Sequence, residues 1–469
     1  MKLSLVLVLP VVLGAFVIPA CGGSENASPA PAPNTPDAEV QRPVDAGEDT
    51  GEKPKLAAPV FPTVKSRGGP VATSGKVQVI TFPADPLTQQ IQQFSEKIAV
   101  SEYWKNAGAE YGVGPLTVLP PIVNAEDAPT TTTEEGIDQW LVQKLSGATP
   151  AFGAPDSNKL YAIYYPASTT IEDGGSGLGK SCESYGGYHY ETQVGGVKVA
   201  YAVMPRCSDI GDLTVTASHE YFEWATDSFP LTAPAYNRFD DDHLAWGLAL
   251  LAELSDLCTY LDGQDFITPT DIGFLVQRQW SNKLSLSGKH PCGPDKKGPY
   301  VQGVPDVQDV GALPDVGDPS YPMVKTPAIY VEPGKSRTVN VQIYSDQDVS
   351  NDISLRAMSF LDFQAFGGGG GGGGGRSDFT YSIENTAKVG DVVELTITAP
   401  KTSQYGFDVV VIMSTIKQRS MSFWPVAVTI DKDGAKAQAA KNISTALQKR
   451  SRIRTMPTRE QRARMLTKF

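Results

Sequence analysis

The sequence predicts an α+β chain: a mixed α/β domain followed by a small, Ig-like β-sandwich. Three observations predict it. Between residues 76 and 300, runs of β-branched and aromatic residues alternate with stretches of helical period. Between 326 and 431 the helical period is lost, and short strand-like runs recur between turn signals. Pro, Gly and Asp crowd residues 301–325, as in a linker.

The elements follow in order. Residues 77–82 read as a strand. Residues 87–111 read as a helix broken near Ser101 that carries Tyr103 and Trp104. The stretch 133–145 opens on threonines and acids, then spaces Ile137, Trp140, Leu141 and Leu145 as a helix face. Residues 160–165 form a strand of buried type, and 174–179 a glycine-rich loop. His189 and its neighbours, then 197–203, look like paired strands between two cysteines. Residues 212–228 are helical, with Val215, Phe222, Ala225 and Phe229 as the apolar face. Asp240, Asp241 and Asp242 are suited to cap a further long helix over 243–260. In the second domain, 328–331, 338–341, 393–397 and 407–413 are strands. The glycine run 367–375 has no side chains to pack and reads as a flexible loop.

The ends carry different information. Lys2 precedes an apolar stretch, 3–17, that is too short for a comfortable membrane span. Ala20 then precedes Cys21, which resembles a bacterial lipoprotein cleavage box. This implies export, cleavage within a 1–21 signal and a lipid on Cys21. The expected place is the outer membrane or the cell surface; an ordinary secretory signal is the alternative. Residues 22–75 are rich in Pro, Ala, Gly and acids and read as a disordered tether. Cys182, Cys207, Cys258 and Cys292 remain, an even number that suggests two disulfides in an exported chain. Three pairings exist; Cys182–Cys207 and Cys258–Cys292 each close a local loop and are favoured. The 469 residues carry a formal net charge of -12. Basic residues gather in 432–469, so the remaining body is more acidic still, which disfavours nucleic acid as a partner. That tail reads as a basic helix or a disordered end, able to touch an anionic surface.

The chemistry concentrates in Ser218-His219-Glu220-Tyr221-Phe222-Glu223-Trp224-Ala225-Thr226-Asp227. His219, Glu223 and Asp227 are four apart, so they stack along one stripe of a helix that lines a cleft or faces solvent. A neutral imidazole, a carboxylate ligand and a neighbouring carboxylate base are what zinc hydrolases use. The order here is H-E-x-x-E, where the familiar helix motif is H-E-x-x-H. His219 and Glu223 are therefore candidate metal ligands and Glu220 the candidate catalytic base. Glu253 and Asp256 lie three apart among leucines, where unpaired carboxylates are costly. Glu253 is the expected third ligand, with Asp256 as its substitute or supporting partner. Asp227 and His189 are possible auxiliaries, His189 standing in a tyrosine-rich strand that could hold it for structural reasons alone. Zinc is the expected ion. A set of one histidine and two carboxylates also suits calcium or manganese, and the same residues could form a site with no ion. No serine nucleophile, phosphate loop or dinucleotide fingerprint is present.

These residues resemble a known family. Trp104, Tyr111-Gly112, Cys182, Gly187-Tyr188-His189, Cys207, Ser218-His219-Glu220 through Thr226-Asp227, and Glu253-Leu254-Ser255-Asp256-Leu257-Cys258 are similar in order to the exordium/phosphate-induced proteins. The resemblance covers about residues 76–295. It implies that His219, Glu220, Glu223, Glu253 and Asp256 form one site, and it supports the Cys182–Cys207 pair. It implies no particular reaction. Trp224 and Ser228 depart from the family pattern, and Trp224 could narrow a cleft. The motif helix looks like that of zinc peptidases, so a zincin-like domain is expected by analogy. The expectation is a metal-dependent, peptidase-like hydrolase acting on envelope or extracellular proteins. The rival is a non-catalytic binding lipoprotein with a structural metal or a retired site.

Overall fold

The first half of the chain is built on one twisted sheet. A computed structural model of the protein describes residues 59–175, 179–250, 253–259, 266–294, 298–315, 322–360, 362, 377–416, 420–435 and 454–456. The expected signal, Cys21, the start of the tether, the glycine run and most of the tail lie outside these residues. Lys76–Thr81, Lys159–Tyr165 and Val197–Pro205 run parallel in the sheet centre. Thr117–Val118 and Ile122–Val123 flank Lys76–Thr81 on one side. Gly187–Val194 pairs antiparallel with Val197–Pro205 on the other.

Both faces of this sheet are covered, so its strands are apolar on both faces. Val77, Val79, Leu160, Ala162 and Tyr164 pack with Phe94 and Ile98 of the helix Thr88–Ala99 and with Tyr221 of the motif helix. The alternate residues Tyr161, Ile163 and Tyr165 pack with Ile137 and Leu141 of the helix Glu134–Lys144 on the opposite face. The helix break falls where expected: Ser101 caps Glu102–Gly108 by accepting the Trp104 N–H. Thr133 likewise caps Glu134–Lys144 by accepting the Gly136 N–H.

The second half is β-rich and sandwich-like. One sheet orders Val301–Pro305, Ser336–Ser345, Val392–Thr398 and Thr380–Ile383. The other orders Val310–Pro314, Met323–Tyr330, Ser420–Thr429, Phe407–Ile416, Ile353–Ser359 and Thr386–Ala387. Alternation sets the inner face: Val339, Val341 and Ile343 are buried, while Thr338 and Asn340 between and before them are exposed. The architecture is thus mixed α/β with strands predominating.

Four expectations are corrected. Residues 301–325 are not a bare linker, since they supply Val301–Pro305 and Val310–Pro314, one strand to each sheet. Pro305 and Pro314 end these strands. The tether ends before residue 59: Phe61, Val64 and Ala72 are buried, and Val64–Ser66 pairs with Tyr236–Phe239. The long helix over 243–260 is instead a short turn, Asp241–His243, followed by Leu244–Leu250 and a separate turn Asp256–Cys258. In the tail, Arg454–Met456 is a strand rather than helix, paired antiparallel with Gly187–Val194.

Trp246 of Leu244–Leu250 joins the halves, with its ring 5.5 Å from that of Trp424 and 5.8 Å from that of Phe239. Both disulfides form as favoured, Cys182–Cys207 and Cys258–Cys292. They indicate an oxidising, extracellular-type environment. No helix among the described residues is long and apolar enough to cross a membrane.

Candidate metal centre

The motif helix spans Ile210–Thr226 and is buried on every side. Asp209 caps its start by accepting the Asp212 N–H at 3.0 Å. The helix lies between the sheet and the segment carrying Asp256–Cys258 and Val276–Gln277. That second layer is why the polar stripe faces neither a cleft nor solvent. His219 is 1% exposed, and Glu220 and Glu223 are 0% exposed.

Strand geometry brings His189 to this helix. Gly195 and Gly196, at φ 55° and 87°, make the tight hairpin between Gly187–Val194 and Val197–Pro205. Tyr188 joins the cluster on the far face of the sheet. His189, one residue on, therefore points to the motif helix, paired across the ladder with Ala202. Close approach needs Gly187: a Cβ there would stand 2.4 Å from the Thr216 methyl and 3.2 Å from a Glu220 oxygen. In the sequence Gly187 stands out only as part of the Gly187-Tyr188-His189 resemblance; its packing role against the motif helix is visible only in the fold.

Two groups of donors result, and they share one residue. His189 Nδ1 lies 3.3 Å from Glu223 Oε2 and 3.5 Å from Glu220 Oε2. His219 Nε2 lies 3.1 Å from Glu223 Oε1 and 3.6 Å from Asp256 Oδ1. Each trio has the spacing of metal donors, His189–Glu220–Glu223 in one and His219–Glu223–Asp256 in the other. Donors around a tetrahedral ion with bonds near ~2.1 Å stand ~3.4 Å apart, so the residues present fit a small divalent cation.

His219 is oriented from behind. Gln277 donates its amide to the Ser255 carbonyl, which leaves its oxygen to accept from His219 Nδ1 at 3.0 Å. Nε2 is then directed at the carboxylates, the arrangement of a supported metal-binding histidine. Ser255 also donates to the His219 carbonyl and to Gln279. The Asp256 N–H donates to Glu223 Oε1 at 3.1 Å, fixing that carboxylate.

The electrostatics without an ion are strained. Burial opposes charge on His219, but the carboxylates of Glu223 and Glu220 outweigh it, and its pKa is pushed up to about 9. Burial likewise opposes charge on His189, yet Glu253, Glu220 and Glu223 hold it well above the ordinary histidine value. Burial would raise Glu223, but the two histidines hold it well below the usual carboxylate range. Glu220 is pushed up by burial, only partly offset by the histidines. Neither Glu220 oxygen and neither His189 ring nitrogen has a hydrogen-bond partner of proper geometry.

The expected residues thus fall into place unevenly. His219, Glu223, Asp256 and Glu220 come together, and His189, expected as an auxiliary, is central. Glu253, the expected third ligand, stands outside both trios with its Oε1 3.8 Å from His189 Nε2. Asp256 takes its place beside His219. Asp227 leaves the stripe: it ends the helix, and its Oδ1 accepts the Ala235 N–H at 2.6 Å. Trp224 is core, 1% exposed, with its ring against Gly75 and away from the site.

No protein-family model matches the chain, and no curated protein matches it. Among solved structures, domains 4 and 5 of the S-layer protein SbsC are 13% identical over 27% of this chain and 53% of that one, with a TM-score of 0.14. The chain thus spans about half the length of that structure. The titin M3 domain is 8% identical over 28% of this chain and 99% of its own, with a TM-score of 0.14. A nucleoside hydrolase-related hypothetical protein from Saccharophagus degradans is 8% identical over 76% of this chain and 100% of its own, with a TM-score of 0.20.

Proposed function

We propose that the protein is an exported, lipid-anchored member of the exordium-like group whose zincin-like half binds a divalent ion, zinc first, and hydrolyses peptide bonds in envelope or extracellular proteins. The observation that carries this reading is the convergence of His219, Glu223 and Asp256 at donor spacing, with the carboxyl of Glu220 beside His189 in the adjoining group that shares Glu223. A bound ion would supply Lewis-acid polarisation there. Glu220 is the residue suited to hold and pass a proton, because its carboxyl is buried beside the donors and burial raises its pKa above the ordinary carboxylate value. Gln277 orients His219, and Asp256 N–H orients Glu223.

A second feature supports a peptide as the substrate class. Arg454–Met456 lies antiparallel along Gly187–Val194, with Arg454 opposite His189. That edge holds extended backbone beside the donor cluster, as in strand addition. The Ig-like half would serve as an accessory domain.

The test is a peptide-library screen of the full chain beside Glu220→Gln, with metal content measured in both. Turnover in the wild type that is lost in a metal-replete variant supports the reading. Equal turnover in the variant removes Glu220 from that role.

Full burial of the cluster favours a second reading, a non-catalytic interaction lipoprotein with a structural ion or a retired site. A tightly held ion without turnover in the same screen would select it.

A further inference from the structure

We infer that the centre is built for two divalent ions bridged by the carboxylate of Glu223. The inference rests on the metal-binding part of the proposed function and extends it to the number of ions and their ligands.

The two oxygens of Glu223 face different histidines. Oε1 stands 3.1 Å from His219 Nε2, and Oε2 stands 3.3 Å from His189 Nδ1. Among the described residues no group at donor spacing holds both histidines: His219 comes from the motif helix one turn before Glu223, and His189 comes from the sheet. Each trio has donor spacing by itself. A carboxylate binding one ion through each oxygen holds them about 3.5–4 Å apart, the separation of two-metal hydrolytic sites.

A second, independent observation concerns His189. Its ring is fully buried, and neither nitrogen makes a hydrogen bond of proper geometry. A structural histidine in a packed interior would be expected to have at least one such bond. Glu220, on the same side, is in the same condition. An ion held by His189, Glu220 and Glu223 satisfies both.

Charge points the same way. Glu220, Glu223, Glu253 and Asp256 are all buried around two imidazoles. Four buried carboxylates gathered on two imidazoles favour cationic partners in this interior.

The experiment uses the purified full chain, stripped with a chelator and titrated separately with Zn²⁺ and Mn²⁺. Elemental analysis counts bound ions, and electron paramagnetic resonance of the Mn²⁺ form reports spin coupling. The expected result is two ions per chain and a coupled Mn²⁺ pair. His189→Gln and His219→Gln should each halve the count and abolish the coupling. One ion at saturation with an uncoupled Mn²⁺ spectrum overturns the inference while leaving a metal protein. No bound ion overturns both the inference and the proposed function. The wild-type spectrum decides the matter even if a variant fails to fold.

Discussion

Glu223 touches His189 across the interior, with Oε2 3.3 Å from Nδ1, although the two residues lie on a helix and on a strand of the facing sheet. The same carboxylate meets His219 through its other oxygen. Glu223→Gln should therefore lower metal content more than a change at either histidine. In the metal-free protein it should cost about 3–5 kcal/mol, the usual cost of breaking a buried charged pair. Elemental analysis and urea melts check this. Full metal content in the variant would show that Glu223 is not the shared ligand.

Gln277 stands behind His219 and orients its ring toward the carboxylates. Gln277→Ala should weaken metal affinity by about 10–100-fold, as loss of such an orienting partner does. The ligand set stays whole, so the number of ions at saturation should not change. Competition against a chelating dye measures both; an unaltered affinity would assign Gln277 to packing alone.

Gly187 permits the strand to lie against the motif helix. A methyl there would stand 2.4 Å from Thr216 Cγ2 and 3.1 Å from the Val203 carbonyl oxygen. Gly187→Ala should destabilise the fold by about 1–3 kcal/mol, as overpacking does. Metal affinity should fall with it, because His189 is displaced. Wild-type stability in this variant would mean that the strand shifts freely.

The Cys182–Cys207 bridge ties together the chain before and after the hairpin that carries His189, closing a loop with a sequence separation of 25. Replacing both cysteines by serine should lower stability by roughly 3 kcal/mol. Thermal melts under non-reducing conditions test this, with the Cys258–Cys292 bridge left intact. No change would place the hairpin's stability in the sheet pairing alone.

Trp424 and Trp246 connect the α/β half to the sandwich. Trp424→Ala should cost about 3–5 kcal/mol as a large-to-small core change. It should also split one calorimetric transition into two, since the contact between halves is thinned. A single unshifted transition would show that the halves are coupled elsewhere.

Much of this protein is legible in the order of its amino acids. Helical period and turn residues place Thr88–Ala99, Glu134–Lys144 and the motif helix correctly, because amphipathic spacing and capping are local properties. Local loop closure also points to the right cysteine pairs. The i, i+4 spacing of His219 and Glu223 by itself stacks them on one helix face.

Other features are decided only in three dimensions. Asp227 has the same spacing from Glu223, yet the helix ends there and its carboxylate turns to Ala235. Glu253 and Asp256 are interchangeable in sequence, and the turn at Asp256–Cys258 sets Asp256 against His219. In sequence His189 is one residue of a tyrosine-rich strand; the register of the hairpin and the absence of a side chain at Gly187 press it into the site. The burial of the centre also depends on a segment from beyond residue 250 folding over the motif helix. The chain's local chemistry names the donors. Only the packing of strand, helix and covering turn decides which atoms meet, because those distances are set by residues remote in sequence.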